Sequence, residues 1–86
     1  MNKSIYNGSW NVYITRCNDK TLYTGIAIDV VGRVHEHNAT SKCRYTRGRK
    51  PIVFIYQEIC DSYSLARKRE AQIKSLSRKN KLALIK

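Results

Sequence analysis

From Trp10 to Thr15 apolar and polar residues alternate, with Trp10, Val12 and Ile14 on one face of an extended chain and Asn11, Tyr13 and Thr15 on the other. That period of two marks a strand with one buried face. Asn18-Asp19-Lys20 signals a turn. A second strand is predicted from Leu22 to Ala27, with Leu22, Thr24 and Ile26 on one face. A hairpin that aligns the two apolar faces, as register requires, brings Tyr13 and Tyr23 close together on the opposite face. Asp29 suits a helix N-cap, and the pattern predicts a helix from Val30 to about Ala39, weakened by about 1 kcal/mol at Gly32. Arg33 and His37 stand four apart and share one face of it. Ser41 to Lys50 predicts a loop or a short helical turn. After Pro51, the run Ile52-Val53-Phe54-Ile55-Tyr56 predicts a strand buried on both faces, hence the central one. Ser62 or Ser64 can cap a helix reaching about Leu76, with an apolar stripe of Leu65, Ala66, Ile73 and Leu76. Ser77 can cap a last helix, Arg78 to Ile85. The order is β-β-α-β-α-α, an α/β (α+β) fold with a small three-stranded antiparallel sheet flanked by helices.

A chain of 86 residues allows one domain, 1–86 with its core at about 10–85, and no second. Its 42% apolar content exceeds that of a disordered, charged chain. One Pro, four Gly and no internal repeat argue against a linker or a low-complexity segment. Charge changes the picture more. Seventeen Lys and Arg against six Asp and Glu leave a net charge of +11, which predicts a polyanionic partner, nucleic acid or an anionic membrane surface. Five basic residues lie between Lys42 and Lys50, and eight more between Arg67 and Lys86 with only Glu70 opposing them. No apolar run approaches the ~20 residues needed to span a bilayer, and Met1 to Tyr6 lacks the apolar segment of a signal peptide. Cys17, Cys43 and Cys60 are odd in number and lack C-x-x-C spacing. This disfavours a disulfide framework or structural zinc site and favours reduced thiols in a cytoplasm.

Five ordered elements resemble the GIY-YIG nuclease superfamily: Asn11-Val12-Tyr13, Tyr23-Thr24-Gly25, the Arg33-x-x-x-His37 helix, Lys42-Cys-Arg-Tyr45-Thr-Arg47-Gly-Arg49, and Arg69-Glu70-Ala71. With Lys74-Ser-Leu-Ser-Arg78 they are similar to the small stand-alone bacterial branch, related to nucleases of branched DNA. The likeness covers about residues 10 to 85. Only Tyr13 stands for Gly-Ile-Tyr, and Thr24 replaces the Ile of Tyr-Ile-Gly.

The resemblance implies a metal-dependent DNA endonuclease that hydrolyses phosphodiester bonds with one divalent cation, Mg2+ or Mn2+, and no small-molecule cofactor. Glu70 would hold the metal. Tyr13 would deprotonate the attacking water, Tyr23 assisting, with Arg33, His37 and the metal supplying the positive charge that lowers a phenol's pKa of about 10. Arg33 would offset charge in the transition state, and His37 would tune the phenol or accept its proton. Lys42, Arg44, Tyr45, Arg47 and Arg49 would form a phosphate groove with an aromatic platform, for DNA that is branched or nicked.

Each residue also has a plainer reading. Tyr13 and Tyr23 suit strands as ordinary aromatics, although Gly25, two residues after Tyr23, signals close approach of another group. Arg33 and His37 suit a solvated helix face, as does His35. Glu70 can pair with Lys74 or Arg67 at the edge of the apolar stripe, whereas Arg69 falls nearer the stripe's centre, an odd place for a charge. Zinc ligation by His35, His37 and Cys43 meets no structural zinc spacing. Two rival functions remain at this level: a catalytically weak or inactive nucleic-acid-binding module, and a basic ribosome- or RNA-associated protein.

Overall fold

Strand β1 (Trp10–Arg16) and strand β2 (Leu22–Ala27) form an antiparallel hairpin. Its turn places Lys20 at φ 74, and the Asp19 carboxylate accepts from Thr21 N and Oγ1 at 3.1 and 2.6 Å. The register pairs Val12 with Ile26, Tyr13 with Gly25, Ile14 with Thr24 and Thr15 with Tyr23. The apolar faces coincide as the alternation requires, and both tyrosines lie on the other face. These features belong to a computed structural model that describes residues 8–40 and 42–85. Met1 to Tyr6, read above for a signal peptide, Ser41 at the start of the basic loop, and Lys86 lie outside the described residues.

Helix α1 (Val30–Ala39) begins where Asp29 accepts from Gly32 N at 3.0 Å. Strand β3 (Val53–Cys60) follows, then helix α2 (Tyr63–Lys74) and helix α3 (Arg78–Ile85). Ser62 and Ser77 cap the two helices by accepting from Leu65 N (3.1 Å) and Asn80 N (3.2 Å). The three antiparallel strands make one sheet in the order β2-β1-β3. One face packs Val12, Ile14 and Leu22 against Ala66 and Ile73 of α2, with Leu84 and Ile85 of α3 at the margin. The other face packs Tyr13 and Ala27 against Val30 of α1.

Two expectations are corrected. The strand opened by Pro51 is an edge strand, and β1 is central. A β-bulge at Ile14/Thr15 is why the apolar run misled. It sets Phe54 opposite Thr15 and Tyr56 opposite Ile14, leaving Ile55 as the extra residue. Phe54 therefore joins the α1 side, while Ile55 and Tyr56 join the α2 side. A continuous apolar run here reflects a change of face at the bulge, not burial on both faces, and Val53 and Ile59 stay exposed. The second correction is on α2. Ala66 and Ile73 are fully buried, but Leu65 is exposed. Arg69 occupies the stripe beside the sheet edge because it grips Glu58 of β3 with two hydrogen bonds of 2.8 and 2.9 Å.

Candidate active site

The α1 side of the hairpin gathers the reactive groups. Tyr13 projects from the central strand across Gly25. A Cβ on that glycine would lie 2.6 Å from the Tyr13 hydroxyl, so only glycine lets the ring lie flat over β2. The close approach signalled by a glycine within the strand is that of a tyrosine. The Tyr13 ring is 1% exposed, and its hydroxyl lies 3.3 Å from His37 Nε2. Tyr23 stands beside it, ring centroids 6.3 Å apart, and meets the His37 ring edge-on at 5.2 Å.

His37 lies one helical turn after Arg33 and is buried, unlike His35. Its Nδ1 is 2.9 Å from Thr46 Oγ1. Burial, assisted by the Arg33 charge, lowers its pKa below the ordinary imidazole value, so it is neutral at pH 7. Arg33 is half exposed and pairs with Glu36. It also reaches Tyr13, whose hydroxyl it stabilises in the charged form. Burial outweighs that help and pushes the Tyr13 phenol up to about 12. Burial raises Tyr23 as well. Of the three sources of positive charge expected to lower the phenol, Arg33 attracts less than burial costs and a neutral His37 contributes none; the metal lies outside this balance.

An open cleft of about 160 Å³ adjoins these groups, lined by Arg33, Glu36, His37, Thr40, Lys42 and Cys43. Cys43, weighed in the sequence only as a zinc ligand, carries a thiol whose pKa is lowered by hydrogen bonds from Thr46 and Tyr23 against the effect of its own burial. Among the described residues no three His, Cys, Asp or Glu side chains cluster as a metal site. Glu70 is largely buried for a carboxylate, its side chain 17% exposed, and it pairs with Lys74 at 3.3 Å and more loosely with Arg67 at 3.9 Å. Its charge reaches the Tyr13 phenol. One carboxylate suits a hard cation that keeps most of its water, as Mg2+ does, rather than an ion needing an all-protein cage.

The basic loop divides into two groups. Lys42, Arg44 and Arg47 are exposed, Lys42 at the cleft. Arg49 pairs with Asp19 at 3.0 Å, lies 4.3 Å over the Tyr45 ring and donates to the Tyr45 carbonyl. The Tyr45 hydroxyl donates to the Leu22 carbonyl, and its ring meets Tyr23 at 5.3 Å. Arg49 and Tyr45 thus bind the loop to the hairpin. Thr46, 1% exposed between two exposed neighbours, was not singled out in the sequence, where an uncharged residue in a basic run gives no signal. Asn38 was also missed. Its side-chain amide accepts from Ile52 N (2.7 Å) and donates to Ile52 O (3.0 Å), fixing α1 to the approach of β3.

A tyrosine pair on a hairpin, an Arg-x-x-x-His helix above it and a carboxylate helix behind it define a class of nuclease. The profile of the GIY-YIG catalytic domain matches residues 9–83, and the chain belongs to the GIY-YIG family, a family of nucleases whose substrates are nucleic acids. It is 48% identical over 79 residues to a UPF0213 protein of Desulfotalea psychrophila, covering 91% of this chain and 72% of that one. It is also 48% identical over 75 residues to a UPF0213 protein of Staphylococcus aureus, covering 87% and 92%. The solution NMR structure of a UPF0213 protein from Bacillus halodurans superimposes with a TM-score of 0.57 at 36% identity, covering 88% of this chain and 81% of that one. Among the described residues no helix is long and apolar enough to cross a membrane.

Proposed function

We propose that the protein is a divalent-metal-dependent DNA endonuclease in which Tyr13 serves as the general base and Glu70 as the metal ligand. The observation that carries this reading is the placement of the Tyr13 hydroxyl, buried 3.3 Å from a neutral His37 Nε2 and beside the Arg33 guanidinium, next to an open cleft that Arg33 and His37 line. A phenol held near pKa 12 is no phenolate at neutral pH. It acts as a relay: its oxygen takes a proton from the attacking water while its own proton passes to His37 Nε2. Arg33 stabilises negative charge on Tyr13 and on the phosphoryl oxygens as it develops. Tyr23, edge-on to His37, keeps the imidazole in place. A bound Mg2+ or Mn2+ supplies Lewis-acid polarisation of the phosphate. Lys42, Arg44 and Arg47 hold the DNA backbone, and branched or nicked DNA is the substrate form proposed.

The test is cleavage of a labelled panel of duplex, nicked, flap and branched DNA with Mg2+ or Mn2+. The parent should cut, and EDTA should stop it. Tyr13→Phe should fold, bind DNA and cut roughly 10²-fold slower or worse. Parental rates in Tyr13→Phe would exclude that hydroxyl as the base.

A further inference from the structure

The proton relay from Tyr13 to His37 has a requirement of its own: His37 must present a bare Nε2, so its proton must sit on Nδ1. Which nitrogen carries the proton is set by the partner of the other. Two independent constraints meet at this ring.

The first is at Nε2. The Tyr13 hydroxyl oxygen already faces the Arg33 guanidinium, a group that can only donate. The phenol's own hydrogen needs an acceptor, and His37 Nε2 at 3.3 Å supplies one. The second is at Nδ1. Thr46 Oγ1 lies 2.9 Å away with the residue 1% exposed, and it offers lone pairs to an Nδ1–H. A Tyr13 hydroxyl that donates to Nε2 leaves an Nδ1–H to donate to Thr46, so the direction runs from Tyr13 to His37 to Thr46.

We infer that Thr46 is a positioning residue for the nuclease reaction, holding His37 in the Nδ1–H tautomer so that Nε2 can accept the Tyr13 proton. The inference rests on the relay reading above and adds to it a residue that touches neither water nor phosphate. The loop carrying Arg44 and Arg47 thereby also sets the state of the proton acceptor.

The chain has two histidines, buried His37 and exposed His35, which makes the tautomer directly readable. Two-bond 15N–1H correlation spectra of the 15N-labelled full chain, taken above the imidazole titration range, should show His37 protonated at Nδ1. Thr46→Val keeps the side-chain shape and removes the acceptor. It should move His37 toward Nε2–H and slow single-turnover cleavage by roughly 10- to 100-fold, the usual effect of losing an orienting partner. Its affinity for DNA should not change. Thr46→Ser should restore both the tautomer and the rate. A displaced loop would instead weaken DNA binding, and the Ser variant guards against a packing defect in Val.

A parent with His37 protonated at Nε2, a tautomer unmoved in Thr46→Val, or a rate loss matched by loss of DNA affinity would each overturn the inference. So would a moved tautomer with a parental rate where Tyr13→Phe is inactive. Full activity in Tyr13→Phe would instead refute the general base, while the spectra decide separately what Thr46 does to the ring.

Discussion

Gly25→Ala tests the geometry of the site without touching its chemistry. The added methyl would stand 2.6 Å from the Tyr13 hydroxyl oxygen and 2.7 Å from Cζ. Ordinary contact begins near 3.4 Å, so the end of the ring must retreat by about 0.8 Å. The ring has little room to do so, being 1% exposed and packed with Ala27, Val30 and Phe54. Overpacking of this kind destabilises by about 1–3 kcal/mol. The hydroxyl would also leave its 3.3 Å approach to His37, and a misplacement near 1 Å can cost about 10²-fold in rate. The expected variant is folded, less stable to urea by about 1–3 kcal/mol, equal to the parent in DNA affinity, and slower in single-turnover cleavage by roughly 10²-fold. Gly25 is not among the exposed basic residues that hold phosphate, so affinity is the internal control. A Gly25→Ala protein that cleaves at the parental rate would refute the claim that the position of the Tyr13 hydroxyl governs turnover.

Glu70→Gln is nearly isosteric and keeps a good helix former in α2. It should give a folded protein that binds DNA at least as well as the parent and does not cut it in Mg2+; parental cleavage would end Glu70's role as metal ligand. Arg44→Ala with Arg47→Ala should lower the slope of log affinity against log salt by about two units, one per lost phosphate contact. Arg49→Ala should leave that slope near parental and loosen the hairpin, read as faster amide exchange around Cys17 to Leu22; a slope change equal to that of Arg44→Ala would place Arg49 on the DNA. His37 has a lowered folded pKa, so the unfolded chain binds its proton more readily. Its contribution to stability is present above the unfolded value near 6.5 and is lost as pH falls through the folded one. Cleavage should fall over the same acidic range as Nε2 becomes occupied. His37→Gln should flatten the acid side of the stability profile, and an unchanged profile would show that His37 does not titrate there.

The hairpin was legible because its signal is local. Alternation fixes which residues share a face, and one register then satisfies both strands. Asp29, Ser62 and Ser77 were legible as caps for the same reason: a short polar side chain three residues before an orphan N–H needs nothing distant. Strand order was not legible, because a bulge made the apolar run look like that of a central strand. The run Ile52 to Tyr56 reads as apolar on both faces only if its parity is constant, and Ile55 breaks that parity. The stripe argument put Arg69 near the stripe's centre but could not account for a charge there, for a related reason. A helix wheel does not reveal that the sheet edge opposite offers Glu58 rather than an apolar neighbour.

The site follows the same division. Tyr13, Tyr23, Arg33 and His37 could be collected from periodicity and from family resemblance, yet their protonation could not. Arg33, His37 and a metal argued together for an acidified phenol, while the fold encloses Tyr13 so thoroughly that burial outweighs Arg33 and raises the phenol to about 12. The same enclosure keeps His37 neutral. Two groups that would have competed for a proton's positive charge become a donor and an acceptor instead. That pairing depends on an acceptor for Nδ1 arriving from a loop nine residues further along the chain, where Thr46 is buried between Tyr45 and Arg47. Tyr45 turns that residue inward: its hydroxyl is fixed to the Leu22 carbonyl, its ring lies against Tyr23, and Arg49 closes over it toward Asp19. Tyr45, read in the sequence as the aromatic platform of a phosphate groove, and Arg49, read as one of its charges, also serve as anchors of the segment that meets His37. The loop's phosphate-facing charge resides in Lys42, Arg44 and Arg47, which the anchoring leaves exposed.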